Sequence, residues 1–199
     1  MKHECKKMKM TQYDISYNKL IEFEKEYKTF HKLDLSETDT RSKILDKLLI
    51  DVFGWDEFDI EREGWVRTGF FDYEIKTANF SFVVEAKKNF NEFKLPKKGN
   101  EVNIKSIYEG NKDVIDQIRK YLFERGLAYG VITNGTQFII GKFYQQNWKE
   151  HKCIFFKDFN DLKTNFDKLY DLLSKESISK YGKIKIETTS NIGKTIFKN

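Results

Sequence analysis

The sequence feature that most constrains the fold is residues 70–88, FFDYEIKTANFSFVVEAKK. Two runs with the alternation of β-strands meet at residues 77–79, which predicts a β-hairpin. Side chains two positions apart share a face of a strand, so Glu85 and Lys87 are expected to point the same way. Asp72 lies on the partner strand and can face the same pair. The hairpin therefore places charged side chains within strands that are otherwise apolar.

Buried carboxylates need a compensating cation, because removing each ion from water is costly. A divalent metal supplies that cation. Two carboxylates and one main-chain carbonyl leave coordination positions for water and phosphate, as a hard ion such as Mg²⁺ prefers. A lysine beside such an ion can orient or activate a water, or stabilise charge on a phosphate. The alternative, on spacing alone, is a sheet whose outer face carries ordinary surface charges.

Three further stretches lie in a fixed order around this hairpin. They are SETDTRSKILDKLLIDVFGWD at 36–56, QIRKY at 117–121 and VITNGTQFII at 131–140. With Asp72 and the Glu85-Ala86-Lys87 triplet, the sequence resembles the PD-(D/E)XK nuclease superfamily. It is similar in particular to the nuclease-like domain at the N-terminus of type I restriction enzyme R subunits and related defence proteins. The likeness covers roughly residues 36–145.

The resemblance implies an α/β fold with a restriction-endonuclease-like core, in which a central mixed β-sheet is flanked by helices in the order αβββαβ. Helical additions are expected at both ends. The expected organisation is an N-terminal tail and accessory helix in 1–35, the nuclease core in 36–145, and a C-terminal strand and helix extension with a tail in 146–199.

The resemblance also implies a function. It predicts a Mg²⁺-dependent endodeoxyribonuclease, with Mn²⁺ able to substitute, acting on DNA in a restriction or antiviral defence setting. Its partners would be DNA and the motor, sensor or specificity domains or subunits of such a system. The alternatives are a non-catalytic module on the same fold that binds nucleic acid or a partner subunit, and an RNA-directed nuclease.

The metal ligands implied by the resemblance are Asp72 and Glu85, assisted by the carbonyl of Ala86. Lys87 would position or activate the hydrolytic water. The expected catalytic residues comprise Asp72, Glu85 and Lys87 together with Gln117, Tyr121 and Glu37.

Other residues would complete the pocket. Gln117 and Tyr121 match a Q-x-x-x-Y motif, and their spacing of four places them on one helical face. Glu37 is the upstream acid that best fits the relatives, with Asp39 and Asp46 as alternatives. Glu37 and Asp39 can equally be first-turn acids favoured by the helix dipole.

A long basic connection at 88–110 leaves directly from the predicted Glu-x-Lys strand. We expect four of its lysines to contact nucleic-acid phosphates: Lys88, Lys94, Lys97 and Lys98. Phe90 and Phe93 can stack on bases or, alternatively, anchor the connection to the protein surface.

Composition narrows the class of protein further. The 199 residues suffice for one α/β domain, and the net charge of +5 is compatible with a polyanionic partner without requiring one. The cations are mostly lysine, which argues against base-specific readout. Cys5 and Cys153 have neither disulfide-framework nor zinc-site spacing, so a reducing cytoplasm is expected. No apolar run approaches the roughly 20 residues of a transmembrane span, so no membrane contact is expected. The Gly193-Lys194-Thr195 triplet lacks the first glycine of a phosphate loop, and a Walker site is rejected.

The pattern predicts helices and strands in the following order: helices at 13–31, 36–53, 111–125 and 160–173; strands at 58–66, 70–76, 80–87, 127–133 and 137–144; and a short edge strand at 154–156. Residues 174–199 are expected to be a polar tail.

Overall fold

Seven strands form one mixed sheet in the computed structural model, which describes residues 9–186. The strands are β1 Ile60–Val66, β2 Gly69–Lys76, β3 Ser81–Ala86, β4 Glu101–Asn103, β5 Tyr129–Thr133, β6 Phe138–Lys142 and β7 Lys152–Phe156. Their order across the sheet is β1-β2-β3-β5-β6-β7-β4. Only β3 and β5 pair in parallel, and the helical crossover between them is the connection that parallel neighbours require. The predicted α/β class with a mixed sheet is confirmed.

Helices cover both faces of this sheet. They are α1 Gln12–Phe30, α2 at residues 37–52, α3 Ile104–Tyr108, α4 Lys112–Arg125, α5 Phe159–Thr164, α6 Phe166–Leu173 and α7 Lys175–Tyr181. Helix α2 begins as Glu37–Thr40 and continues through two π-helical turns, Arg41–Leu45 and Leu48–Val52. Helices α1, α2, α5, α6 and α7 pack over one apolar cluster with the sheet, and α3 and α4 pack over a second cluster on the opposite face.

Local signals explain where the helices begin and end. Thr11 caps α1 through a capping box with Asp14, and the Ser36 hydroxyl accepts a hydrogen bond from the Asp39 amide at the start of α2. Helix α4 ends at Gly126, whose φ of 67° is readily adopted only by glycine. The predicted helices at 13–31, 36–53 and 111–125 are confirmed within a few residues.

The predicted hairpins are also confirmed. β2 and β3 pair antiparallel, as do β5 and β6. The second hairpin closes through a four-residue loop in which the Asn134 side chain accepts hydrogen bonds from the amides of Thr136 and Gln137. Strand β5 is buried at four of its five positions, as expected of a central strand.

Residues 101–110 were expected to belong to a connection, and this interpretation is wrong. They form β4 and α3, and β4 pairs antiparallel with β7. Strand β7 is therefore an inner strand and not the predicted edge strand. The Asn100 side chain fixes this arrangement by donating to the Phe155 carbonyl at 3.0 Å and to the Asp161 carboxylate at 2.9 Å.

Two predictions for the C-terminal part are also wrong. The single helix expected at 160–173 is divided into α5 and α6 at Asn165, whose side chain donates to the Asp161 carboxylate. The tail expected at 174–199 contains helix α7, which Ser174 caps. The remainder of that tail from 187, the Gly193-Lys194-Thr195 triplet, and the basic residues 1–8 lie outside the described residues.

Within residues 9–186, no helix combines the length and the apolar character needed to span a membrane.

Candidate functional site

Asp72 lies in β2 and is buried against the neighbouring strand. Its Oδ2 accepts a hydrogen bond from the Ala86 amide at 2.7 Å, and its Oδ1 accepts one from Arg41 at 3.0 Å. Burial raises the pKa of Asp72, while the Ala86 amide and Arg41 oppose the shift. The Ala86 amide thus holds the Asp72 carboxylate against the end of β3.

Glu85 lies in β3, one step beyond the last paired residues of the β2–β3 ladder. That ladder pairs Tyr73 with Val84, and continuing it places Glu85 opposite Asp72. Glu85 is only 1% exposed. Its Oε1 accepts a hydrogen bond from Lys87 at 2.6 Å, whereas its buried Oε2 has no partner among the described residues. Burial first, and then the negative charge of Asp72, raise the pKa of Glu85 to about 8.

Lys87 follows β3 and lies between two acids. Its amide donates to the Thr133 carbonyl, which extends the parallel ladder with β5 by one residue. Its ammonium is 2.6 Å from Glu85 and 3.8 Å from Glu37. Burial alone lowers the pKa of Lys87, but the surrounding carboxylates outweigh it and the net shift is upward. Lys87 is therefore a cation at neutral pH, suited to orienting a water or stabilising a phosphate charge.

The structure distinguishes between the three candidate upstream acids. Glu37, at the first position of α2, lies beside Lys87. Asp39 instead contacts Ser36 and Lys43, and Asp46 contacts Arg62. Glu37 is thus the acid that lies closest to the Asp72–Glu85–Lys87 group.

Gln117 and Tyr121 share one face of α4, as their spacing predicts. The Gln117 amide donates to the Tyr121 hydroxyl at 2.9 Å. Burial raises the pKa of Tyr121, and the charges of Glu85, Lys87 and Asp72 also act on it. The hydroxyl faces the hairpin turn at Gly69, where an added Cβ would be 3.9 Å away. The pair therefore borders the acidic group from the α4 side.

Arg41 is a site residue that the sequence reasoning missed. Its guanidinium donates to Asp72 at 3.0 Å and to Glu63 at 2.9 Å. Arg41 lies four positions after Glu37, and this spacing on one helical face is the signal that predicts it. Glu63 has a φ of 52° and stands where β1 passes Asp72, so the edge strand is irregular beside the site.

The four lysines of the basic connection are all exposed: Lys88, Lys94, Lys97 and Lys98. None of them forms an ion pair with another residue of the described part of the chain. Of the two alternatives for Phe93, stacking on bases is wrong and anchoring is correct, because Phe93 is buried in the cluster under α4. Phe93 therefore anchors the connection, whereas Phe90 is exposed.

Asp72 and Glu85 provide two neighbouring carboxylates that could bind a cation. Glu85 Oε2 is a buried oxygen without a donor, and Asp72 is held beside it; both features fit a hard divalent ion. Across residues 9–186, however, no group of three or more His, Cys, Asp or Glu side chains is arranged to hold a metal. A bound ion would therefore take its other ligands from main-chain carbonyl, water or substrate.

Comparison with protein-family models, with curated proteins and with solved structures found no match to this chain.

Proposed function

We propose that this protein is a metal-dependent nuclease that hydrolyses phosphodiester bonds in DNA, with a core of the restriction-endonuclease type. The observation that carries the proposal is the buried, unpartnered Oε2 of Glu85 beside Asp72. Such an oxygen is stable only when a proton or a cation compensates its charge. The proposal is supported by the element order α2, β1, β2, β3, α4 and β5, which follows the αβββαβ order that the resemblance implies, with β4 and α3 inserted before α4.

Asp72 and Glu85 are the residues that would hold Mg²⁺, with the Ala86 carbonyl as a third ligand. When bound, the ion supplies a Lewis acid for the phosphate and lowers the pKa of a coordinated water. Lys87 orients that water or stabilises negative charge on the phosphate. Gln117 and Tyr121 border the substrate, and Glu37 holds Lys87 from the opposite side.

A second candidate function is non-catalytic binding of nucleic acid. The observation that favours it is that protein cations already pair with both carboxylates, Arg41 with Asp72 and Lys87 with Glu85. A module of this kind would use the exposed lysines of the basic connection for phosphate contact. It would bind DNA in a salt-dependent manner and leave it intact.

The test is cleavage of supercoiled plasmid with Mg²⁺ or Mn²⁺, and with EDTA as the metal-free control. We expect the wild type to cleave and Asp72→Ala and Lys87→Ala to lose about 100-fold or more in rate, as when one charge-stabilising group is removed. Lys180→Ala, an exposed lysine on α7, is the matched control and should cleave normally.

Three results decide between the candidates. Cleavage that persists in EDTA, or that is equal in the wild type and Lys87→Ala, contradicts the nuclease proposal. Salt-dependent binding without cleavage favours the non-catalytic module. A single-stranded RNA offered beside DNA identifies an RNA-directed enzyme if only the RNA is cut. Crystals soaked with Mn²⁺ should show density between Asp72 and Glu85.

A further inference from the structure

Trp65 and Phe70 form an exposed aromatic pair on the β1–β2 hairpin. The two residues lie directly opposite each other in the antiparallel ladder, so their side chains share a face. Trp65 is 67% exposed and Phe70 is 63% exposed. Large aromatic rings usually bury most of their surface, and a cross-strand pair of them in solvent is typical of a binding surface.

The aromatic pair lies next to the candidate site along strand β2. The neighbouring hairpin residues Val66 and Phe71 belong to the cluster under α4 on the other face. On the face of Trp65, helix α2 contacts the hairpin at Arg41, which binds Glu63 and Asp72. Phe70 is two residues from Asp72, a separation of about 7 Å along a strand. A nucleic-acid strand with its phosphate at the site would thus pass the aromatic pair.

One exposed cation, Arg67, lies close to the aromatic pair along the chain. Arg67 is exposed at the hairpin turn, and its amide donates to Glu124 of α4 at 2.5 Å. Arg67 lies two residues after Trp65 and forms no ion pair within residues 9–186. Exposed aromatic rings combined with nearby cations are the features that bind single-stranded nucleic acid.

We propose that Trp65 and Phe70 stack on unpaired bases of DNA adjacent to the cleaved phosphate, so that the substrate is single-stranded or locally unpaired DNA. This inference rests on the proposed nuclease function and names its substrate class. A second copy of the chain is a poorer occupant. Two aromatic side chains bury about 150–250 Å² each, well below the roughly 800 Å² per partner of a stable protein interface. One or two bases cover such a patch fully.

The test measures binding of an end-labelled single-stranded DNA oligonucleotide and of the duplex of the same sequence, in EDTA so that no turnover occurs. We expect Trp65→Ala and Phe70→Ala each to weaken single-strand binding by about tenfold or more, with little effect on the duplex. Trp65→Tyr should keep most of the affinity, because it keeps a stacking ring. Phe58→Ala, which removes a fully exposed ring (102%) at another position, is the matched control.

Several outcomes overturn the inference. These are unchanged single-strand binding in both alanine variants, an equal loss for single strand and duplex, and an effect seen with an RNA oligonucleotide but not with DNA. Self-association of the wild type that Trp65→Ala abolishes would assign the pair to a dimer interface instead. Unchanged melting temperatures of the variants establish that binding, and not folding, has changed.

The binding assay needs neither metal nor catalysis, so its result is separate from that of the plasmid assay. If the wild type cleaves plasmid while Trp65→Ala binds single strands normally, the stacking inference alone fails. If single-strand binding depends on Trp65 but Lys87→Ala and the wild type cleave plasmid at the same rate, the nuclease proposal alone fails.

Discussion

Glu74 and Glu85 are buried glutamates on adjacent strands, and their surroundings differ sharply. Glu74 is 4% exposed, accepts a hydrogen bond from Arg125 at 2.7 Å and has Lys76 at 3.8 Å. Glu85 is 1% exposed and has one donor, Lys87, for one of its two oxygens. Its nearest acidic neighbour, Asp72, adds a second negative charge. Burial is thus common to both glutamates, and the uncompensated oxygen belongs to Glu85 alone.

The comparison teaches how to separate a structural carboxylate from a candidate catalytic one. Arg125 comes from α4, the helix that packs across the sheet, and it neutralises Glu74 as the fold forms. Around Glu85 the same helix contributes Gln117 and Tyr121, which carry no positive charge. A region whose folding leaves a buried carboxylate oxygen without a partner is suited to recruiting a cation.

The largest expected difference between the two glutamates is in catalysis. Glu85→Gln should lower the rate of plasmid cleavage by two to three orders of magnitude, roughly as for removal of one group that stabilises charge in a transition state. Glu74→Gln should cleave at nearly the wild-type rate, because Glu74 and its partner Arg125 lie outside the proposed site. Initial rates at saturating Mg²⁺ measure both. Equal losses in the two variants would contradict the distinction.

The next largest effect is on the pH dependence of stability. The pKa of Glu85 is about 8 in the folded state against an ordinary value of 4.5, so the folded chain binds more protons between these values. The free energy of unfolding should therefore fall as pH rises from about 4.5 to about 8, by on the order of a few kcal/mol. The raised pKa of Asp72 acts in the same direction.

Urea unfolding in EDTA at several pH values across this range measures that dependence. Glu85→Gln should show a flatter profile than the wild type, while Phe58→Ala, a change at an exposed neutral residue, should keep the wild-type slope. If the free energy of unfolding of the wild type is constant or rises with pH in this window, folding does not raise the pKa of Glu85.

A smaller effect concerns stability at a single pH. Arg125→Met keeps much of the aliphatic length over Phe71 but removes the charge that neutralises Glu74. At pH 7 we expect a loss of about 1–3 kcal/mol, because a buried carboxylate is left without its partner. Denaturant unfolding at pH 7 tests this, and an equal loss from Arg125→Met in a Glu74→Gln background would assign the effect to packing.

The smallest expected effect is stabilisation by metal. At tenfold its dissociation constant, Mg²⁺ should stabilise the wild type by about 1.4 kcal/mol, since it binds only the folded chain. Glu85→Gln should lose this stabilisation and Glu74→Gln should retain it. Thermal unfolding with and without Mg²⁺ measures the shift. Stabilisation that survives Glu85→Gln would place the cation elsewhere.

Much of the fold follows from local sequence patterns. The hairpins, helix α4 and the alternation around Val84 and Ala86 were predicted because strand and helix periodicity depends on residues only a few positions apart. The same periodicity predicted that Glu85 and Lys87 share a face, and the helical spacing predicted the Gln117–Tyr121 pair. These parts of the candidate site were accessible without a structure.

The missed features depend on contacts between distant parts of the chain. The sequence does not predict strand β4, because three residues carry little periodicity and their pairing is with β7, about 50 residues away along the chain. The adjacent Asn100 binds Phe155 and Asp161. Helix α7 was read as a polar tail, since its propensity is weak and its stability comes from packing on α6.

The sequence alone determined which side chains bring charge into the core. These are Asp72, Glu85 and Lys87, and both their identity and their alternation along the strands are local properties. Tertiary structure alone decided how that charge is compensated. Arg41 reaches Asp72 from 31 positions away along the chain, and the lack of any such partner at Glu85 Oε2 depends on every element packed around it. Electrostatic compensation is set by distance in space, and only the folded chain defines that distance.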